Sequence, residues 1–177
     1  MTSESRWTDV DKMLQPAPKN RAELKERLVQ DIAQARFEFP TIELASYRTF
    51  VNVPEVTLPV TNEHGERLVP DIVVVDTPGN ILKVCAQIEL TETVTEERGE
   101  ELWAPFSRLP DVALYLYVPV GYGAAAKRIS KKLDLEIYGF RTWRYIPQGL
   151  EINEISEPPG IIHSLMPRFA RRLLRGQ

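Results

Sequence analysis

Two acidic residues at the ends of neighbouring strand-like segments carry the clearest chemistry in this sequence. Asp71 opens one apolar run, and Glu89 lies near the end of the next run. There, Gln87, Glu89 and Thr91 alternate with apolar residues. A turn over residues 77–80 separates the two runs, which is the pattern of a β-hairpin. The predicted hairpin therefore carries acids at one of its ends.

The register of this hairpin decides whether the two carboxylates meet. Side chains alternate between the faces of a strand, so Gln87 and Glu89 share one face while Ala86 and Ile88 share the other. A shift of one residue would place Asp71 opposite Ala86, where an ionised carboxylate would lie unsolvated at a cost of several kcal/mol. We therefore expect Asp71 opposite Gln87 and diagonal to Glu89, with the carboxylates roughly 5 to 8 Å apart.

Two carboxylates at that distance repel each other unless a proton or a cation lies between them. A hard divalent ion with oxygen ligands, Mg²⁺ above all, is the usual partner. Such an ion lowers the pKa of a bound water and polarises a phosphoryl oxygen. The spacing thus indicates a metal site at Asp71 and Glu89 with phosphodiester hydrolysis as its chemistry. An exposed sheet end that merely carries polar residues is the alternative.

These residues resemble the motif of the PD-(D/E)XK nuclease superfamily, which has the restriction-endonuclease-like fold. The resemblance lies in Pro70-Asp71, an apolar strand, a turn, and a second strand with Gln87-Ile88-Glu89. It implies a nuclease that depends on Mg²⁺ or Mn²⁺, in which the Asp and an acid of the later triplet bind the metal. A lysine two residues after that acid handles the attacking water in the family. The resemblance extends from the first long helix to about residue 153 of this chain.

The chain departs from that motif at the lysine. In one alignment Gln87 takes the acid position and Glu89 the lysine position, and in the other Glu89 takes the acid position and Thr91 the lysine position. Some members of the superfamily carry Glu there and remain active. The resemblance therefore implies Asp71, Gln87, Glu89 and Thr91 as catalytic residues, with Asp71 and Glu89 as metal ligands. A catalytically degenerate member that serves as a nucleic-acid- or protein-binding module is the alternative, and an unrelated α/β domain is a third reading.

The order of the remaining elements is typical of an α/β protein. Asn20 and Glu23 match a capping box before a helix that runs to Phe37, a strand over residues 112–118 lies between two helices, and a last strand ends at Ile146. We expect the order αβββαβαβ, with a restriction-endonuclease-like core of one central mixed sheet flanked by helices, plus a C-terminal amphipathic helix. The predicted parts are an N-terminal arm at 1–19, a PD-(D/E)XK-like domain at 20–156, and a linker with the C-terminal helix at 157–177.

Contact with DNA or RNA is expected to be local, because the net charge is -3 and the pI is about 5.5. Basic residues fall at helical spacing on one side of the segment after Pro119, and they are the predicted contact with a phosphate backbone: Lys127, Arg128, Lys131 and Lys132. A plain solvated helix face is the alternative. The C-terminal helix combines an apolar face with arginines and is expected to dock on protein, which makes a homo-oligomer one of the expected partners.

The single cysteine, Cys85, lies inside the second strand of the hairpin. One cysteine supports neither a disulfide framework nor a cysteine zinc site. No segment approaches the length of about 20 apolar residues that a membrane-spanning helix needs. The sequence therefore predicts a soluble, cytoplasmic protein.

Overall fold

The computed structural model describes residues 18–155, so the predicted C-terminal helix and the arm up to residue 17 lie outside it. A six-stranded mixed β-sheet forms its centre. The elements in chain order are α1 (Arg21–Arg36), β1 (Tyr47–Val51), β2 (Val60–Thr61), β3 (Arg67–Leu68), β4 (Ile72–Asp76), β5 (Ile81–Ile88), a 3₁₀ turn (Thr91–Thr93), α2 (Glu96–Arg98), a π-helical turn (Gly99–Trp103), α3 (Ala104–Ser107), β6 (Ala113–Pro119), α4 (Gly123–Lys132), β7 (Gly139–Ile146) and β8 (Gly149–Glu154).

The sheet has the strand order β1-β4-β5-β6-β7-β8. Strands β1, β4 and β5 form an antiparallel meander, while β5, β6 and β7 run parallel because helical segments connect them. Strands β2 and β3 form a separate two-stranded sheet between β1 and β4 in the chain. The predicted α/β class with a mixed sheet is confirmed. The likeness to a restriction endonuclease stays a prediction.

The predicted element order was incomplete at two places. Strands β2 and β3 are two residues each, which is too short to leave an alternating pattern in the sequence. Strand β7 is not the last strand. Strand β8 follows it after a tight turn and pairs with it antiparallel, from Ile146 opposite Gly149 to Arg141 opposite Glu154. Gly149 makes this tight turn possible, since its φ of 130° lies in a region that residues with a side chain rarely adopt.

Helices cover both faces of the sheet, and the burial pattern of the strands reflects this. Helix α1 buries Leu28 and Ile32 against the face that carries Ile72 and Ile88, and we call this the α1 face. The π-helical turn, α3 and α4 cover the opposite face, which we call the α4 face. Strand β4 is therefore buried along both faces from Ile72 through Val75. Among the described helices, none combines the length and the apolar character that crossing a bilayer requires.

Two caps fix where the helices next to the sheet end begin. The Oδ1 of Asn20 accepts a hydrogen bond from the N–H of Glu23 at 2.9 Å, as the predicted capping box requires. The helical segment after β5 begins at Thr95, whose Oγ1 accepts a hydrogen bond from the N–H of Arg98 at 3.2 Å. This start directs the π-helical turn and its Trp103 back towards the end of β5.

Candidate functional site

Strands β4 and β5 pair in the register that the burial argument favours. Ile72 pairs with Ala86, and one further step along the ladder places Asp71 opposite Gln87. The polar residues at this sheet end are nonetheless buried, with exposed fractions of 8% for Asp71, 2% for Gln87 and 0% for Glu89. The alternative of an exposed sheet end that merely carries polar residues was therefore wrong.

A lysine of helix α1 holds the carboxylate of Asp71. The Oδ2 atom of Asp71 accepts a hydrogen bond from Lys25 Nζ at 2.6 Å and another from the main-chain N–H of Ile88 at 2.7 Å. The same ammonium also donates to the main-chain carbonyl oxygen of Ile88. One ammonium thus lies against a carboxylate oxygen and a carbonyl oxygen, and it compensates the charge of Asp71 from within the chain.

Glu89 is fixed by different partners. Its Oε1 accepts a hydrogen bond from Trp103 Nε1 at 2.8 Å, and its Oε2 lies 3.4 Å from Arg98 Nε. Its main-chain N–H donates to the carbonyl oxygen of Tyr117 at 2.8 Å, and its own carbonyl oxygen accepts from Trp143 Nε1 at 3.1 Å. Two indole rings and one guanidinium therefore hold this single residue.

The two carboxylates are held by helices on opposite faces of the sheet. Lys25 belongs to α1, whereas Arg98 and Trp103 belong to the helical segment that covers the α4 face. We call Lys25, Asp71, Glu89 and Arg98 the acid cluster. Its two ion pairs contain two formal negative and two formal positive charges, so the acid cluster is neutral as a whole. Residues 18–155 contain no group of three or more His, Cys, Asp or Glu side chains that could hold a metal ion. Each of the two acids therefore has a cation of the chain itself as its partner.

The remaining predicted site residues, Gln87 and Thr91, have different surroundings. The Oε1 of Gln87 is buried and has no hydrogen-bond partner among the residues that the structure describes. Leaving such an acceptor unpaired costs about 1 to 3 kcal/mol. Thr91 lies beyond the end of β5 in the 3₁₀ turn, and it is exposed.

Comparisons with known proteins do not identify a family for this chain. No family model matches the chain, and neither the curated proteins nor the solved structures include a match. The resemblance to PD-(D/E)XK nucleases thus stays a prediction from Pro70-Asp71 and Gln87-Ile88-Glu89. The function has to be inferred from the geometry of the cluster and of the surfaces around it.

Two of the four basic residues of α4 that are predicted to contact nucleic acid have partners within the protein. Lys127 Nζ donates to the carbonyl oxygen of Ile155 at 3.2 Å, and Lys132 forms an ion pair with Glu96 at 2.5 Å. Arg128 and Lys131 are exposed. Glu96 can reach Lys132 because its segment lies close to α4 where Gly99 crosses that helix. A Cβ atom at Gly99 would lie 2.7 Å from Ile129 Cγ2.

A second buried polar cluster lies on the α1 face, next to β6 and β7. The guanidinium of Arg141 donates to the hydroxyl of Tyr117 at 3.1 Å and to Glu154 Oε1 at 2.6 Å, and it lies 4.7 Å from the ring centroid of Tyr115. Burial raises the pKa of Tyr117 to about 12, although Arg141 acts in the opposite direction. These contacts are made within the protein, so we assign this cluster to the stability of the sheet.

Sequence reasoning missed Lys25, Arg98 and Trp103, which are the partners of the two acids. Lys25 lies 46 residues before Asp71, and only the packing of α1 against the sheet brings the two together. One signal was available in the sequence. Lys25 lies three residues before the buried Leu28 on α1, so its stem lies beside the apolar face while its ammonium has to reach a polar partner or water. No comparable signal marks Arg98 or Trp103.

Proposed function

We propose that this protein is a nucleic-acid-binding module in which the buried acid cluster stabilises the fold, and that it does not hydrolyse phosphodiesters. It would then be a catalytically degenerate relative of the nuclease that the motif predicts. One observation supports this proposal above the others: Lys25 Nζ lies 2.6 Å from Asp71 Oδ2 and also contacts the carbonyl oxygen of Ile88. A metal ion bound by Asp71 would have to take that place. It would also add two positive charges to a cluster that is already neutral.

The burial of the acids supports the same proposal. A catalytic metal ion needs an open coordination position for water or substrate. The side chain of Glu89 has an exposed fraction of 0%, and that of Asp71 only 10%. Trp103 and Arg98 occupy the space next to the Glu89 carboxylate. A phosphodiester in a polymer would have to displace these groups before it reached an ion between the two acids.

The contact with nucleic acid is assigned to Arg128 and Lys131 on α4. Both side chains are exposed and lie three residues apart, so they project from neighbouring positions on the helix. Lys127 and Lys132 contribute less, because each is already engaged within the protein. A pair of cations neutralises about two phosphates, which supports weak binding that is sensitive to salt.

We expect the double substitution Arg128→Gln, Lys131→Gln to flatten the salt dependence of DNA binding. The plot of log K against log salt concentration should lose a slope of about 1.8, since each phosphate contact on duplex DNA contributes about 0.9. Fluorescence anisotropy of labelled DNA and RNA, measured between about 50 and 200 mM salt, gives the slope.

The matched control for this experiment is Lys127→Gln, Lys132→Gln, which removes the same number of charges from the same helix. Its slope should stay close to that of the wild type, because these two side chains already have partners within the protein. Equal slopes for both double variants would contradict the assignment. If the wild type shows no salt-dependent binding of DNA or RNA, a protein partner is favoured instead.

A metal-dependent nuclease is the second candidate, and the unpaired Oε1 of Gln87 favours it. An amide oxygen is a suitable neutral ligand for Mg²⁺ or Mn²⁺, with Asp71 and Glu89 as the charged ligands. Cleavage of single- and double-stranded DNA and RNA in Mn²⁺ tests this candidate, with Asp71→Asn and Glu89→Gln as controls. Cleavage by the wild type that both substitutions abolish would replace the binding module with a nuclease. Absence of cleavage is the result we expect.

A further inference from the structure

We propose that the free edge of β8 is an interaction surface, and that its partner is β8 of a second copy of this chain. We call residues 150–154 the β8 edge. The two strands would pair antiparallel about a twofold axis at Ile152 and join two six-stranded sheets into one. This inference goes beyond the proposed function and does not depend on nucleic-acid binding.

The main-chain groups of the β8 edge point away from β7 at every second residue. The N–H of Ile155 donates to the carbonyl oxygen of Phe140 at 3.0 Å, which makes these two residues a hydrogen-bonded pair in the β7–β8 register. Hydrogen-bonded and non-hydrogen-bonded pairs alternate along an antiparallel ladder. The main-chain groups of Leu150, Ile152 and Glu154 therefore face outwards.

These outward-facing groups are almost unpaired. Within residues 18–155 their one hydrogen bond is with Arg36, whose Nη2 donates to the carbonyl oxygen of Ile152 at 3.4 Å. The β7–β8 register is continuous over six pairs, and residues 149–154 contain neither proline nor lysine. The two glutamates of the strand are both in ion pairs with arginines of β7. The β8 edge thus lacks the prolines, lysines and bulges with which exposed strands avoid other chains.

The opposite edge of the sheet is blocked near both of its ends. In β1, the N–H of Tyr47 donates to the carbonyl oxygen of Leu44 at 3.1 Å, and the carbonyl oxygen of Val51 accepts from Thr57 Oγ1 at 2.9 Å. Both contacts come from the segments that flank β1 in the chain. Of the two edges of the sheet, β8 is therefore the one that can accept a further strand.

A second copy of β8 fits this edge because the strand is complementary to itself. In an antiparallel pair centred on Ile152, each Ile152 faces the other, and Leu150 faces Glu154 of the second copy. This register places all three outward-facing residues in hydrogen-bonded pairs. On the other face, Glu151 lies opposite Asn153 of the second copy. No acid then lies directly opposite another acid, which would be destabilising.

Apolar contact and charge complementarity support the same pairing. Leu150 and Ile152 are half-buried and pack against the core on the α1 face, so the two copies would form one continuous apolar strip across the axis. Arg36 is exposed and lies at the carbonyl oxygen of Ile152, and Glu154 of the second copy would take the diagonal position beside it. The Glu154 side chain has an exposed fraction of 38% and can therefore be approached.

The test is the association of the full-length chain, measured by sedimentation equilibrium over a series of protein concentrations. We expect a dimer. Ile152→Lys places two ammonium groups opposite each other at the axis and should raise the dissociation constant of the dimer at least about tenfold. Arg36→Glu changes an exposed side chain and should also weaken the dimer, because it would face Glu154 of the second copy. This second variant decides the test if Ile152→Lys does not fold.

Asn153→Lys is the matched control for these variants. It adds the same charge to the same strand, but on the other face and opposite Glu151 of the second copy. Asn153 is exposed, so we expect the variant to fold. The dissociation constant should stay within about twofold of the wild-type value.

A cysteine at the axis tests the register directly. Ile152→Cys, made together with Cys85→Ala, would place two cysteines with Cα atoms about 5.5 Å apart, which lies within the range of a disulfide. Oxidation should therefore give a covalent dimer. Asn153→Cys in the same background should not, because the two cysteines would be offset along the strands.

Three results would overturn the inference. They are a wild type that stays monomeric at every concentration, a dimer that neither Ile152→Lys nor Arg36→Glu weakens, and equal cross-linking by the two cysteine variants. Hydrogen exchange at the amides of Leu150, Ile152 and Glu154 then identifies the other occupant. Protection in a monomer would assign the β8 edge to another part of this chain, and rapid exchange in a monomer would assign it to a different protein.

Discussion

Replacing Glu89 with alanine is expected to lower the free energy of unfolding by about 3 to 5 kcal/mol. The substitution leaves the Trp103 indole N–H buried without its acceptor, which alone costs about 1 to 3 kcal/mol. It also leaves Arg98 without its counterion and opens a cavity beneath the helical segment. Urea denaturation in EDTA, followed by tryptophan fluorescence, measures the loss.

Glu89→Gln is the matched control for this substitution. The amide keeps an oxygen for Trp103 and loses mainly the charge that faces Arg98, whose side chain has an exposed fraction of 33%. We therefore expect a smaller loss, of about 1 kcal/mol. Equal losses for the two variants, or a more stable Glu89→Ala protein, would contradict the role that we assign to Glu89.

A steep loss of stability at alkaline pH is the second large effect that we expect. Burial raises the pKa of Tyr117 from its ordinary value of 10.0 to about 12, and burial also raises the pKa of Tyr145 and of the Cys85 thiol. The unfolded chain releases these protons at ordinary pKa values while the folded chain retains them. Raising the pH therefore favours unfolding, by about 1.4 kcal/mol per pH unit for each group.

For Tyr117 this loss runs from about pH 10 to about pH 12 and amounts to roughly 2 to 3 kcal/mol. Denaturation curves at a series of pH values measure it. Tyr117→Phe should show a flatter dependence over that range, and Cys85→Ala should flatten the part that begins at lower pH. Stability that stays constant or increases through this range would contradict the burial of these groups as neutral species.

Local patterns were sufficient to predict the elements next to the site. Asn20 and Glu23 start α1 where the capping box places them, and the cost of burying Asp71 against Ala86 selects the observed register. Each of these predictions depends on residues that are close in the chain or paired in one hairpin. Strands β2 and β3 were missed because two-residue strands leave almost no periodic signal, and β8 was missed although it is six residues long.

The partners of the acids could not be predicted, because they come from other layers of the fold. Lys25 approaches Asp71 only when α1 packs on its face of the sheet, and Arg98 approaches Glu89 only through the helical segment on the opposite face. The ion pair between Lys132 and Glu96 likewise depends on the close crossing of two helices. Two converging carboxylates in a hairpin therefore indicate a need for positive charge, but the hairpin alone does not show where that charge comes from.

The stability of Asp71→Asn in EDTA tests most directly whether the chain's own cations compensate the two acids. If Lys25 is the counterion of Asp71, the substitution should lower the free energy of unfolding by about 1 to 3 kcal/mol. Glu97→Gln removes a carboxylate from an exposed position and should change it by no more than about 0.5 kcal/mol. A protein made more stable by Asp71→Asn would instead show that Asp71 and Glu89 repel each other without compensation, as ligands of an absent metal ion do.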